Sequence, residues 1–395
     1  MRDYGLSGES LICFAGEDWW YHHPHSKNHI LKRLAKNNRV LFINSLTMGL
    51  PSTSNPDFYL KIRRKLRSYS RWLRKVPDGL FVMSPITLPF YGSWLSQGIN
   101  RWLLLAQIRL AMIICRISNP ILWVAIPSAS VVAEKLPSKL ILYQVSDKYD
   151  ANEDSALGAE IIRKFDAHLK KIADVVLYSG KKLYEEATEP HRFFLEQAVD
   201  FDHFATDSQN VASEVMNISS PILGYFGAMD YIMDVALIEQ VAKLRPLWNW
   251  VFIGLRSNLT AIDLPNIHFL GPKPYQALPD YIVRFDVCVL PWKVINTFTS
   301  YGSAIKVREY LATGKPIVMA PLYEYRDAPG VLFYENTSEF IQAVEQALQN
   351  DTENKKRARQ AFVKNSTWDI RTQQLCSLVQ SLLASNPKHR NKSGA

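Results

Sequence analysis

Short, almost wholly apolar runs recur along the chain, separated by stretches in which apolar residues return every three or four positions. Leu11-Ile-Cys-Phe-Ala15 is the first run. A polar, aromatic loop follows, then a stretch from Ser26 with Ile30, Leu31 and Leu34 on one helical face, then the run Arg39-Val-Leu-Phe-Ile43. Unbroken apolar runs bounded by turn residues predict strands buried on both faces, as in a parallel sheet, and the amphipathic stretches predict the helices that cover them. The alternation continues with a strand at Leu80–Met83, a helix at Trp94–Ile117, strands at Ile121–Ile126 and Lys139–Val145, a helix at Ser155–Ala173 and a strand at Asp174–Ser179. It resumes with strands at Pro221–Ala228, Trp248–Gly254, Asn266–Gly271 and Val287–Leu290, and with helices at Asp234–Leu244 and Tyr275–Phe285.

Two such series within 395 residues predict an α/β protein of two doubly wound, Rossmann-like domains facing each other across a cleft. The first would occupy residues 1–207 and the second 221–366, with the polar, aperiodic residues 208–220 as a linker. The last helices are predicted at Glu339–Gln349 and about Thr352–Ser385. Residues 387–395 form a polar, basic tail expected to be disordered.

The stretch from Thr299 to Ala320 carries the most chemistry. Its start, Ser300-Tyr-Gly-Ser303, is small and hydroxylated, so the backbone can turn there and offer free N–H groups where a helix begins. Helical spacing then places Ile305, Val307, Tyr310 and Leu311 for burial, Gly314 suits a C-terminal cap, and Ile317-Val-Met-Ala320 reads as a buried strand. A phosphate at the helix start would lie near Lys306. Glu309, one turn further in, can accept two hydrogen bonds from a vicinal diol such as a ribose. Diphosphate, cation and diol together describe a nucleotide, although the same spacing also fits an ordinary solvated helix face.

Lys306-Val-Arg-Glu-Tyr-Leu-Ala-Thr-Gly-Lys-Pro-Ile-Val318 resembles the K-x-x-E-Y-L-A-x-G-K-P-V-V signature of GT-B glycosyltransferases of the family-4-like group. Val199-Asp-Phe-Asp-His-Phe204 resembles the segment that closes their first domain. The resemblance implies a sugar-nucleotide transferase with Ser303, Ala304 and Ile305 at the donor diphosphate and Glu309 on the ribose. It also implies a last helix, residues 367–386, that crosses back onto the first domain with Trp368 as its anchor. Two departures stand out. Tyr301 occupies the place of a glutamate that contacts the donor sugar in the family, and Gly227-Ala-Met-Asp-Tyr-Ile-Met233 lacks the arginine and lysine that clamp the phosphates there. Arg256 and Lys306 are the expected substitutes, with Lys293 a further cation at a strand end. Asp147 follows the strand where relatives place a histidine or aspartate beside the reacting carbon; it also suits a cap for the turn after that strand. Gly227, and Lys273 and Tyr275 within Gly271-Pro-Lys-Pro-Tyr275, are expected to line the nucleotide.

The formal charge of +9 favours anionic partners. Lys61 to Lys75 holds eight basic residues and no acid, with Ile62, Leu66, Tyr69, Trp72 and Leu73 interleaved at helical spacing. Such a segment suits peripheral contact with an anionic membrane, or a solvated helix packed on its own domain. No nucleic-acid partner is expected, since no recognition module appears. Met1–Ser10 lacks the pattern of a signal peptide, and Trp94–Cys115, broken by Gln97, Arg101, Gln107 and Arg109, suits an amphipathic helix better than a membrane span. Cys13, Cys115, Cys288 and Cys376 sit far apart among apolar neighbours and are expected to be buried free thiols, which fits a reducing cytoplasm. In the loop Glu17-Asp-Trp-Trp-Tyr-His-His-Pro-His25, no cysteine or carboxylate pattern completes a metal set around the histidines, and Trp19, Trp20 and Tyr21 suit sugar stacking or loop packing. Asp200-Phe-Asp202 belongs to the domain-closing segment, so no metal or other cofactor is expected.

Two function classes follow. One is a retaining transferase that moves a sugar from a nucleotide-sugar, with UDP as the carrier, to a glycan or lipid-linked saccharide in surface polysaccharide synthesis, in the cytoplasm and peripheral to the inner face of the membrane. The other, suggested by Tyr301 and the missing clamp, is a catalytically silent GT-B module that binds nucleotide or glycan.

Overall fold

The computed structural model describes residues 3–20, 24–46, 63, 67–88, 94–148, 159–206, 210–256, 262–295 and 300–385. The chain divides into two units, one of residues Met1–Glu196 with Trp368–Ala395 and the other of Gln197–Thr367.

In the first unit the strands are β1 (Ser10–Phe14), β2 (Arg39–Ile43), β3 (Leu73–Lys75), β4 (Phe81–Met83), β5 (Ile121–Val124), β6 (Leu140–Val145), β7 (Val175–Tyr178) and β8 (Arg192–Phe194). They lie in the order β3-β4-β2-β1-β5-β6-β7-β8. Every pairing is parallel except β3 with β4. The apolar runs form this sheet because helices cover both faces: every residue of β1, β5 and β7 is buried. The helices are α1 (Ser26–Leu34), α2 (Trp94–Cys115), α3 (Ser130–Ala133), α4 (Ala159–Ile172) and α5 (Lys181–Glu186). The direction of winding reverses between β1 and β5, which opens a crevice at their carboxyl ends.

The basic segment is helical at residues 63 and 67–69, as expected, but its end is not. Leu73–Lys75 is an antiparallel edge strand and the Trp72 carbonyl accepts the Ser84 N–H at 2.8 Å, so Trp72 and Leu73 are half-buried against β4. Residues 61, 62 and 64–66 of that segment lie outside the described residues, as does the tail.

The second unit carries β9 (Ile222–Phe226), β10 (Asn249–Ile253), β11 (Ile267–Gly271), β12 (Val287–Leu290), β13 (Ile317–Met319) and β14 (Val331–Phe333), all parallel, in the order β11-β10-β9-β12-β13-β14. Its helices are α6 (Phe201–Phe204), α7 (Ser213–Met216), α8 (Val235–Leu244), α9 (Leu278–Ile282), α10 (Ile305–Thr313), α11 (Thr337–Asn350) and α12 (Glu353–Lys364). Residues 211–220 are not a free linker: Val215 of α7 is fully buried in this unit's core, and the Ala212 N–H bonds the Asp280 carbonyl at 3.0 Å.

The helix expected over Thr352–Ser385 is two helices. α12 ends at Lys364, and α13 (Trp368–Ser385) begins after Asn365-Ser-Thr367, three poor helix formers whose backbone instead pairs with Val199. α13 belongs to the first unit. The Trp368 ring stacks on His29 with centroids 4.7 Å apart, and burial holds His29 down to about 3, so the imidazole stays neutral. Asp369 accepts from Arg33 at 2.6 Å and from Tyr4 at 2.8 Å, and Arg371 pairs with Glu196.

At the other end of α10, Gly314 takes the left-handed conformation (φ 74°) and caps the helix. Its carbonyl accepts Nε and Nη2 of the buried Arg359 at 2.9 and 2.7 Å, and Asp351 holds the same guanidinium at 2.7 and 2.8 Å. Arg359→Leu is therefore expected to destabilise the second unit by about 3 kcal/mol, because the carbonyl and carboxylate lose their buried cation. A urea midpoint equal to that of the wild type would contradict this role.

Candidate functional site

The second unit's winding reverses between β9 and β12, and the turn after β9 is built by two glycines. Gly227 and Gly254 have φ of 134° and 145°, conformations that a side chain disfavours. A Cβ on Gly254 would lie 2.0 Å from the Gly227 carbonyl oxygen, and a Cβ on Gly227 would lie 2.4 Å from Nζ of Lys306. The ends of β9 and β10 are thus pressed together, with the Lys306 ammonium directly over them.

Lys306 is in the first turn of α10. Its Nζ donates to the Tyr225 hydroxyl at 2.7 Å and stands 4.5 Å from the Tyr225 ring centroid and 5.2 Å from that of Trp292. Its direct contacts among the described residues are a hydroxyl and two ring faces, and Glu309 acts on it through its charge alone. The start of α10 is similarly uncommitted. Ala304 at the cap has no side-chain oxygen, the first turn has no acidic residue, and the buried Ser303 Oγ has no hydrogen-bond partner among the described residues. The Ala304 carbonyl accepts the Tyr325 hydroxyl at 2.8 Å, which fixes the backbone angle at which Ser303, Ala304 and Ile305 enter the helix. A positive helix end, an unbonded hydroxyl and a lysine lie within four consecutive residues at the start of α10, which suits an anion.

Glu309 lies one turn along and is 6% exposed. Burial pushes its pKa up to about 7; the nearby Tyr275 hydroxyl and Lys306 ammonium pull it down, while Asp200 pushes it further up. Tyr275 is set by α6: its ring stacks on His203 at 5.0 Å, meets Phe204 edge-on at 5.5 Å, and its carbonyl lies 3.0 Å from the His203 ring nitrogen.

Gly227, Ser303, Ala304, Ile305 and Lys306 thus form one cluster, and Tyr275 and Glu309 a second, joined to it through the charge of Lys306. Two expected cations are committed elsewhere. Lys273 pairs with Glu214 at 2.7 Å, and Tyr281 donates to the same carboxylate, so the ammonium is turned away from a nucleotide role. The Arg256 backbone bridges Met229 beside the glycine turn, but its guanidinium lies 3.7 Å over the Phe269 ring and donates to the Ile262 carbonyl at 3.0 Å. Tyr225 and Trp292 belong to the site without having been singled out in the sequence, and Asp200 and His203, read there only as part of the domain-closing segment, belong to it as well. The first two flank the winding reversal, at the end of β9 and just past β12, and that position was the available signal.

In the first unit Asp147 follows β6 and lines a pocket of about 250 Å³ with Lys148, Arg163, Asp166 and Tyr178. The surrounding protein raises its pKa and Lys27 lowers it. Lys27 is itself buried and paired with Glu17 at 3.3 Å. Trp19 meets Phe42 edge-on at 5.0 Å and Trp20 lies under Arg71 at 4.8 Å, so both rings are engaged in packing, while Tyr21, His22 and His23 lie outside the described residues. All four cysteines are buried and unpaired, and among the described residues no three metal-ligating side chains come together.

Residues 220–350, which hold this site apart from Asp200 and His203, match the model of the family Glycosyl transferases group 1. The chain is 23% identical over 279 residues to a protein of Bacillus subtilis (strain 168) named as a teichuronic acid biosynthesis glycosyltransferase, TuaH, covering 64% of this chain and 70% of that one. Its fold is shared with sucrose-phosphate synthase from Thermosynechococcus elongatus (TM-score 0.69, 12% identity, 96% and 100% of the two chains). It is shared too with Anabaena HepE, solved in complex with UDP and glucose (TM-score 0.64, 12% identity, 95% and 99%). The chain has the GT-B fold of these solved structures, and its second unit carries the match to glycosyl transferases group 1.

Proposed function

We propose that this enzyme transfers a sugar from a UDP-sugar, with retention at the anomeric carbon, to a glycan or lipid-linked saccharide in surface polysaccharide synthesis. The observation that carries the reading is the Lys306 ammonium at the start of α10, held against Gly227 by neutral partners, one turn before a buried carboxylate. A UDP-sugar presents the matching groups in order: a diphosphate for the helix start and a ribose diol for Glu309. The name of TuaH and the UDP and glucose bound to HepE support the acceptor pathway and the donor class.

The chemistry asks for stabilisation of a leaving group. As the bond between the anomeric carbon and the phosphate oxygen breaks, its electron pair stays on the diphosphate, and the acceptor oxygen takes the vacated position as its proton passes to the departing diphosphate. Lys306, the Ser303 hydroxyl and the first N–H groups of α10 can stabilise that charge without a metal ion. Arg256 is a weaker candidate, because it would have to leave Phe269 and the Ile262 carbonyl to help. Asp147 is proposed on the acceptor side, where a carboxylate can orient a hydroxyl or offset positive charge on the sugar. Tyr301, in the place of the family's glutamate, is proposed to alter which donor sugar is taken.

Lys306→Ala should lower kcat about 100-fold, or about 3 kcal/mol of transition-state stabilisation, while Arg256→Ala costs less than tenfold. Nucleotide release from UDP-sugars with glycan acceptors measures both, and normal turnover by Lys306→Ala would remove it from the site. Glu309→Gln should weaken UDP-glucose binding by about 1–3 kcal/mol at pH 8.

The pH dependence follows from the raised pKa. Diol hydroxyls donate to the carboxylate form, which with a pKa of about 7 is the minor form below neutrality. Affinity for UDP-glucose should therefore rise about tenfold between pH 6 and 8 in the wild type and stay flat in Glu309→Gln, as read by titration calorimetry. Equal slopes in the two proteins would assign the titration to another group.

A further inference from the structure

The crossover helix α2 is apolar on two opposite faces. Asn100, Leu104, Ile108, Ala111, Met112 and Cys115 are buried in the first unit. On the other side Leu95, Ile99, Trp102 and Ile113 fall within about 40° of one line along the helix, and they are 57%, 40%, 69% and 74% exposed. Leu110, 50% exposed, borders them. The segment leading out of β4 widens the patch. The Gln107 amide exchanges hydrogen bonds of 2.9 and 2.8 Å with the Ile86 backbone, and Asn100 does the same with Leu88 at 2.7 and 3.1 Å. Ile86 and Leu88 are thereby fixed alongside α2, 50% and 37% exposed.

Scattered exposed apolar residues need no explanation, but a face on which Leu95, Ile99 and Trp102 at one end of the helix and Leu110 and Ile113 at the other flank the exposed Arg109 marks a docking surface. Its charge identifies the partner. Residues 79–133 contain no aspartate or glutamate, and the three arginines among them, Arg101, Arg109 and Arg116, are all exposed. Arg63, Arg67, Arg74 and Lys75, from the preceding segment, are exposed as well. A second copy docking through the same face would set one acid-free basic rim against another. An anionic bilayer offers both an apolar interior and a negative surface.

We propose that α2 is a membrane-docking helix that lies in the plane of an anionic bilayer, with Leu95, Ile99, Trp102 and Ile113 in the interface and the arginines at the headgroups. α2 is long and apolar enough to cross a membrane by length and composition. It is held in the plane because it connects β4 to β5, and crossing would pull Leu104 and Ile108, both wholly buried, out of the core. The inference is independent of which sugar nucleotide the second unit takes.

Co-sedimentation with vesicles tests it, using phosphatidylcholine alone and phosphatidylcholine mixed with phosphatidylglycerol. The wild type should bind the mixed vesicles and not the neutral ones at low salt. The triple variant Ile99→Gln, Trp102→Gln, Ile113→Gln should lose about tenfold or more in partitioning to the mixed vesicles. Arg101→Gln with Arg109→Gln should bind less at low salt and match the wild type at high salt, where the electrostatic contribution is screened. All the substituted side chains are exposed, so unchanged circular dichroism and thermal transition certify the fold. The proposal is overturned if the wild type ignores anionic vesicles, or if the apolar variant binds them as well as the wild type does. A wild-type dimer that the apolar variant turns into a monomer, with no vesicle binding by either, would also overturn it and assign the face to a second copy.

Discussion

One close approach organises the second unit's site: the Gly227 backbone lies against Gly254 on one side and under the Lys306 ammonium on the other. Neither glycine can carry a side chain there. A Cβ on Gly254 would sit 2.0 Å from a carbonyl oxygen that is part of the sheet's edge and cannot swing aside. The contact brings the ends of β9 and β10 level, and α10 must then aim its first turn at the same point. Tyr225 and Trp292, at the ends of the two strands where the winding reverses, supply the walls that hold the lysine. A cation placed by aromatic faces and a hydroxyl keeps its charge for a ligand, whereas one placed by a carboxylate, as Lys273 is by Glu214, does not.

The second constraint is electrostatic. Glu309 is buried beside Asp200, and only Tyr275 and Lys306 favour its ionised form. Its proton is therefore loosely assigned near neutrality, and whatever donates hydrogen bonds to it decides whether it ionises. Because Tyr275 is positioned by His203 and Phe204 of α6, the domain-closing segment that begins at Val199 contributes directly to the setting of this carboxylate. The same segment pairs with Thr367 just before the chain leaves for α13.

Much of this was legible in the residue pattern. Apolar runs of four or more located the long strands in both units, and the stretch from Ser300 to Ala320 showed its loop, helix, cap and strand by composition alone. The strands β3, β8 and β14 escaped because they are short and none lies wholly buried within an apolar run, as β13 does, and β3 lay within residues whose spacing read as helical. The break at Asn365 was missed where Thr352–Ser385 was read as one helix, although the family resemblance already started the last helix at residue 367. For the site, the limit was pairing. Arg256, Lys273 and Lys306 look alike in sequence as cations near strand ends; Phe269, Glu214 and Tyr225, which distinguish them, are 13, 59 and 81 positions away. Tertiary neighbours, not local composition, decide which cation stays available.

The most direct test is whether Lys306 and a nucleotide's terminal phosphate recognise each other. Affinities of UDP and UMP for the wild type and for Lys306→Met form a double-mutant cycle in which one of the mutations is made in the ligand. The diphosphate site described here predicts that the wild type prefers UDP and that most of the preference vanishes in the variant, a coupling of about 1–3 kcal/mol. An undiminished UDP preference in Lys306→Met would mean that the phosphate is held elsewhere and would contradict the account.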